Sequence, residues 1–318
     1  MSWKPWTKNR ADKAALSGES EIIEFRTGRN TAETLAMLDE KVFRLRPEFP
    51  LQLSFEDAEG NKTKIYSPEH IIALSRMRHV RRLTLGLHLK QPFSLNGGPR
   101  QLEELRIWPG KAPCDIDFIG EVPNLKKLYL ANRIADFTPI RSLAHLETLG
   151  ISATIPSLAF LENLTIPVLL LDHCDVKKGW EYLASTNIRD LYLGSNKKLE
   201  DISFLGSCAS LRKLAISQSK VRVLCDCARL DALEEVILKN MSKLESLRPL
   251  ARARALRRIE LEALGAKIQA EDFRVLLTLP HLAELSIPFL DFSEKQCKAK
   301  AIHRLFQEAG KGNLVAYQ

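Results

Sequence analysis

The chain has 318 residues, 45% of them hydrophobic and 27% charged, with a formal net charge of +8. Those proportions suit a folded protein and exclude extended disorder, and no run approaches the roughly 18 apolar residues that span a bilayer. Met1 to Lys8 leads into polar residues where a secretory signal would carry its apolar segment, so a cytoplasmic chain is expected, and six cysteines without a disulfide-framework spacing are expected to be reduced.

In chain order, residues 1 to about 20 are polar, with Trp3 and Trp6 as docking points, and are expected to be loose or draped over the cap. Glu21 to Phe25 reads as a short strand, and Thr31 to Leu45 as a helix with Leu35, Leu38 and Val42 at turn spacing. Leu51 to Phe55 and Lys62 to Tyr66 alternate in polarity across Glu59-Gly60-Asn61, which predicts a hairpin. Ser67-Pro68 predicts a helix start, the serine oxygen accepting from a first-turn amide, and the helix runs to about Met77. Residues 1–79 together are expected to form an N-terminal cap covering an otherwise exposed stack.

From Val80 onward a six-residue figure, apolar-x-x-apolar-x-apolar, occurs ten times, starting at Val80, Leu102, Leu125, Leu146, Ile166, Ile188, Leu211, Leu233, Leu256 and Leu282. Successive starts are 20 to 26 residues apart, a period that means one short unit stacked repeatedly. The centre of each copy predicts a strand whose two later apolar positions point inward and whose third, fifth and seventh positions point outward. Stacked at about 4.8 Å, ten such strands make a parallel sheet on the order of 40 Å long. The return segments, such as Asp136 to Leu143 and Ser246 to Leu250, fit tight turns, whereas Ala270 to Leu279, in the longest interval, predicts a true helix through Phe273, Leu276 and Leu277. Asn196 and Cys174 stand at the ninth position, where a buried side chain can satisfy turn backbone. The array is expected to occupy 80–290. Residues 291–318 are expected to form a C-terminal cap helix, with Ser293-Glu294-Lys295-Gln296 as its capping pattern, Ile302, Leu305, Phe306 and Ala309 as its stripe and Gly310 as its end.

The Leu-x-x-Leu-x-Leu figure, the Asn after it and the Asp201-Ile202-Ser203-Phe204-Leu205 return resemble the leucine-rich repeat family, nearest its 21 to 23 residue internalin-like class, over about two thirds of the chain. The resemblance implies an α/β solenoid, a curved right-handed horseshoe with a parallel concave sheet and terminal caps, whose concave face binds another macromolecule. Two departures stand against carrying over a cellular role: internalins are exported and surface-anchored, which the ends of this chain do not suggest, and most copies lack the ninth-position Asn.

Among the outward positions, Trp108, Tyr129, Leu170 and Tyr192, flanked by Arg106, Lys127, Asp172 and Asp190, have the composition of an interface centre. Between Lys239 and Arg258 seven basic residues face only Glu245; the cluster is either a site for an acidic surface or nucleic acid, or a solvated flank. Asp172-His173-Cys174 could suggest metal or nucleophile chemistry, but alternation sends Cys174 inward and leaves His173 at the rim. Cys225-Asp226-Cys227 lacks a second pair at zinc spacing, and Gly97-Gly98 is not followed by a phosphate-loop pattern. The expected function is non-catalytic capture of another protein on the concave face, without metal or cofactor, as a cytoplasmic inhibitor such as a toxin-neutralising immunity protein. Nucleic-acid binding through 239–258 is the alternative; it lacks a recognised motif.

Overall fold

The computed structural model describes residues 4–17, 21–63, 65–88, 91–196, 198–218, 220–288 and 296–316. They divide into two compact units, Met1–Thr154 and Ile155–Gln318. Among these residues no helix is long and apolar enough to cross a membrane.

In the first unit, α1 (Lys8–Ala15) precedes β1 (Ile23–Arg26), α2 (Ala32–Leu38, continuing as a π-helical turn over Asp39–Phe43), β2 (Pro50–Ser54) and α3 (Pro68–Ser75). Then come β3 (Arg82–Gly86), β4 (Glu104–Ile107), β5 (Lys127–Asn132) and β6 (Thr148–Ile155), with 3-10 turns on the return side. The strands pair in parallel in the order β1-β2-β3-β4-β5-β6. Their register stacks Phe25, Leu53, Leu85, Ile107, Leu130 and Ile151 in one row and Ile23, Leu51, Leu83, Leu105, Leu128 and Leu149 in another, all buried. Two rows of large apolar side chains, repeated strand on strand, are the core that no single repeat could close alone.

The expected hairpin is not there. β2 pairs on both edges with parallel strands, and among the described residues of the second run only Lys62 pairs, in an isolated antiparallel bridge with Glu56. Tyr66 is drawn instead into an edge-to-face ladder on the return side, with Phe55 at 4.9 Å, Phe93 at 5.2 Å and, beyond it, Phe118 at 4.9 Å. A ring buried in such a ladder outweighs the weak pairing of a lone two-stranded ribbon. The stacked strands therefore begin at Ile23, well inside the segment read as a cap.

Residues 4–17 are draped over the neighbouring elements, the second of the two expected arrangements. Thr7 caps α1 by accepting from Arg10 N (3.3 Å), and Trp6, 8% exposed, donates from Nε1 to Glu24 O (2.7 Å). Trp3 lies outside the described residues. Ser67 precedes α3 as expected, but its hydroxyl meets His70 Nδ1 (2.7 Å) in place of a first-turn amide.

In the second unit the strands are β7 (Val168–Asp172), the two-residue β8 (Asp175–Val176), β9 (Asp190–Gly194), β10 (Lys213–Ser217), β11 (Glu235–Lys239), β12 (Arg258–Glu262), β13 (Glu284–Ser286) and β14 (Val315–Ala316). β7 and β9 to β14 pair in parallel in that order, stacking Leu169, Leu191, Leu214, Val236, Ile259, Leu285 and Val315 as a buried row. Asn196 is 2% exposed and donates from Nδ2 to Leu171 O (2.9 Å), the role expected of the ninth position. The expected true helix is a nine-residue 3-10 segment, Ala270–Thr278. Its buried residues Phe273 and Leu276, with Leu279 just beyond, recur every three positions, which matches three residues per turn. α4 (Gln296–Glu308) buries Ile302, Leu305 and Phe306, while Ala309 is exposed; Gly310, at φ +71°, ends it. Ser293 to Lys295 of the expected capping pattern lie outside the described residues.

Candidate binding faces

In-register parallel pairing places equivalent outward positions side by side, so each face is a set of rows running across the strands. In the first unit the third-position row carries Arg82, Glu104 and Lys127 on neighbouring strands. Glu104 is 7% exposed and holds two guanidiniums: Arg106 Nε donates at 2.8 Å and Arg82 Nε at 3.1 Å. Burial alone would push this carboxyl up, but the two arginines' hydrogen bonds and charges outweigh it and hold the group below the usual glutamate value.

Arg106 extends the arrangement upward, its guanidinium lying 4.5 Å from the centre of the Tyr129 ring. Gly150, on the next strand, leaves room for that ring: a Cβ there would stand 2.5 Å from Tyr129 Cδ1. On the other side Trp108 is 56% exposed and opens onto a groove of about 500 Å³ over β2, β3 and β4, bordered by Ile22, Pro50, Arg82 and Arg106. Lys127 is exposed beside it. The geometry thus brings Arg106, Trp108, Lys127 and Tyr129 into one neighbourhood. It adds Ile22 and Pro50, which the repeat pattern could not offer while β1 and β2 were hidden, and draws in Arg82, an outward position of the first copy.

The second unit's face is built on different chemistry. Register places Leu170, Tyr192, Ala215 and Ile237 in one fifth-position row across four strands. Tyr192 Oη shares a hydrogen bond with Ser217 Oγ (3.1 Å), and Gly194 leaves space for both Tyr192 and Asp172, since a Cβ would meet their atoms at 2.5 and 2.3 Å. Asp190 stands beside Lys213 in the register, its side chain without a hydrogen bond or ion pair among the described residues. Leu170 and Tyr192 are therefore neighbours as expected, with Asp172 and Asp190 at the flanks.

Lys239 and Arg258 do not belong to a free basic patch. Lys239 bridges Glu260 (2.5 Å) and Glu262 (3.2 Å), and Arg258 reaches Glu284 (3.5 Å) and Glu235 (3.9 Å). Other members of the cluster, such as Arg248 and Arg252, sit on the return side, where Arg252 pairs with Asp226 (2.9 Å). The sequence grouped residues that the fold sends to opposite sides.

Of the groups that the sequence raised for metal or nucleophile chemistry, Asp172-His173-Cys174 is divided between rim and core. His173 is rim-exposed at φ +53° and pairs with Asp172 (3.0 Å), while Cys174 points into the core at 7% exposure. Burial pushes the thiols of Cys114 and Cys208 up to about 12 and about 11, and a hydrogen bond that Cys225 donates to Cys227, together with burial, raises Cys225. Asp39, Glu40 and His79 approach one another closely enough to share an ion, but both Asp39 oxygens already accept from backbone amides, of Arg78 (2.6 Å) and His79 (2.9 Å).

No family model matches the chain, and no curated protein matches it. Solved structures do. The internalin inlF of Listeria monocytogenes aligns over 85% of this chain and 92% of its own, at 18% identity and a TM-score of 0.52. Internalin C2 of the same organism covers 88% of this chain and 91% of its own, at 20% identity and a TM-score of 0.38. TLR13, in its complex with ssRNA13, covers 98% of this chain and 52% of its own, at 15% identity and a TM-score of 0.48. What inlF shares is the fold, that of a leucine-rich repeat protein, with parallel strands stacked in register.

Proposed function

We propose that the chain is a non-catalytic binding module that grips a partner protein on the outward faces of its parallel strands. One observation carries this reading: Trp108 stands 56% exposed above a groove whose borders include two arginines fixed by a shared buried carboxylate. A large aromatic left in water beside preoriented guanidiniums has the composition of an interface anchor, and fixing the arginines in advance lowers the entropy lost on docking. The burial of Cys174 away from the rim pair of His173 and Asp172 speaks against chemistry shared by those three residues. A rigid face of this kind suits sequestration, and a cytoplasmic inhibitor such as a toxin-neutralising immunity protein is the form of the reading that we favour. Nucleic-acid binding through Lys239 and Arg258 is disfavoured by the four carboxylates that engage them.

The test is affinity capture from the source cells on immobilised wild-type chain and on Trp108→Ala, with thermal unfolding of both recorded. A protein retained by the wild type and lost by a variant of unchanged stability supports the reading. Equal retention on both removes the groove as the site, and co-expression with the captured protein then tests whether binding inhibits it.

A further inference from the structure

The second unit's face carries a charge opposite to that of the whole molecule. Its outward positions hold six carboxylates, on Asp172, Asp190, Glu235, Glu260, Glu262 and Glu284, and three cations, on Lys213, Lys239 and Arg258. The chain as a whole is +8. All three cations are consumed within the face, Lys213 by Glu235 at 2.9 Å, Lys239 by Glu260 and Glu262, and Arg258 by Glu284 and Glu235. The acids keep acceptor capacity, because Lys239 meets one oxygen of each of its partners. Asp190 has no ion pair among the described residues, whereas Asp172 has one oxygen buried and the other on His173.

Between these flanks runs the apolar row from Leu170 through Tyr192 and Ala215 to Ile237, each residue aligned with the next strand's. At about 4.8 Å per strand it extends about 15 Å. A bare cation would gain nothing from such a row, whereas a peptide segment that alternates apolar and cationic side chains would bury the first along it and place the second over the acids.

We infer that the second unit's sheet face docks a basic, amphipathic segment of a partner protein, its apolar side chains on the Leu170–Ile237 row and its cations over Asp190, Glu260 and Glu262. The inference rests on the reading that outward strand faces bind protein. It reverses the expectation that 239–258 recruits an acidic surface.

The experiment titrates the full chain into three fluorescent probes monitored by anisotropy: a decapeptide alternating Lys and Leu, its Glu and Leu counterpart, and a single-stranded DNA of the same length. A triple variant, Asp190→Asn with Glu260→Gln and Glu262→Gln, neutralises the face. A control, Asp201→Asn with Glu234→Gln and Glu271→Gln, changes net charge equally away from it. The Lys-Leu probe is expected to bind wild type and control alike and to bind the face variant at least about tenfold more weakly, with the difference shrinking as salt rises past the point where the screening length falls below about 8 Å. Tighter binding of the acidic peptide or of the DNA, or equal weakening by face variant and control, overturns the inference. If the face variant still captures the native partner while Trp108→Ala does not, the proposed function survives and this inference fails.

Discussion

Replacing Glu104 by Gln tests whether the first unit's face is preorganised by charge. The glutamate accepts from Arg106 and Arg82 at 2.8 and 3.1 Å and its side chain is 9% exposed, against 40% and 36% for the arginines. A surface ion pair would contribute about 0–1 kcal/mol, and a fully buried pair broken on one side would cost about 3–5 kcal/mol. Here the acceptor is buried while both donors can recover water, so the loss lies between these limits, at about 2 kcal/mol, typical of a hydrogen bond to a charged group. Glutamine keeps one acceptor but turns an amide N–H₂ toward the second guanidinium, so it cannot serve both. The urea midpoint should fall accordingly, and the melting temperature by about 4–8 °C. The carboxyl is held below its ordinary value of 4.5 in the folded chain, so its stabilisation is complete above that value and fades as pH falls through the lowered one. Wild type and variant should therefore converge in acid. A loss under about 0.5 kcal/mol at neutral pH, or a difference that persists undiminished at about pH 3, would refute the buried-carboxylate account.

The eighth repeat position is left-handed in copy after copy, occupied by Asn132, His173, Ser195, Gln218, Asn240 and Ala263, the last at φ +48°. Alanine there carries a steric cost of about 1–2 kcal/mol that glycine avoids, partly offset by glycine's greater unfolded freedom, so Ala263→Gly should stabilise the chain by about 0.5–1 kcal/mol in urea unfolding; destabilisation would contradict the left-handed assignment. Cys114 and Cys208, raised to about 12 and about 11, should resist a thiol reagent at about pH 8 in the native chain and react once it is unfolded. Labelling within minutes under native conditions would show that they are not sealed in the core.

The repeats were legible because ten copies keep apolar residues at the first, fourth and sixth positions, which only stacked strands require together. β1 and β2 escaped because their first positions are Ser20 and Glu48, while their inward residues Ile23, Phe25, Leu51 and Leu53 obey the same register as the rest. The turn at Gly60 then made a hairpin plausible, and nothing in the alternation of Lys62 to Tyr66 reports that Tyr66 has three aromatic neighbours to join. The left-handed eighth position was equally silent, because glycine does not mark it in these copies. As for the candidate site, Trp108 and Tyr129 were readable as outward aromatics, but the groove beside Trp108 depends on β2. The basic cluster misled because sequence adjacency says nothing of pairing: Lys239 lies beside Glu262, 23 residues away, only through strand register.

The charges on these faces have two distinct sources, and separating them locates function. Parallel in-register strands set third positions side by side, where like charges repel, and both units answer with alternation: Arg82, Glu104 and Lys127 in the first, Asp190, Lys213, Glu235, Arg258 and Glu284 in the second. Such rows serve the register, since a strand slipped by one residue would break every pair, and they need no partner to explain them. Functional pressure should then appear where the alternation fails. It fails at Asp190, whose other neighbour in the row is Val168, and at Glu260 and Glu262, two acids sharing one lysine. It is absent around Trp108, whose exposed indole no packing of the first unit requires. Substitutions within the balanced rows should therefore register mainly as stability, and substitutions at these departures mainly as binding.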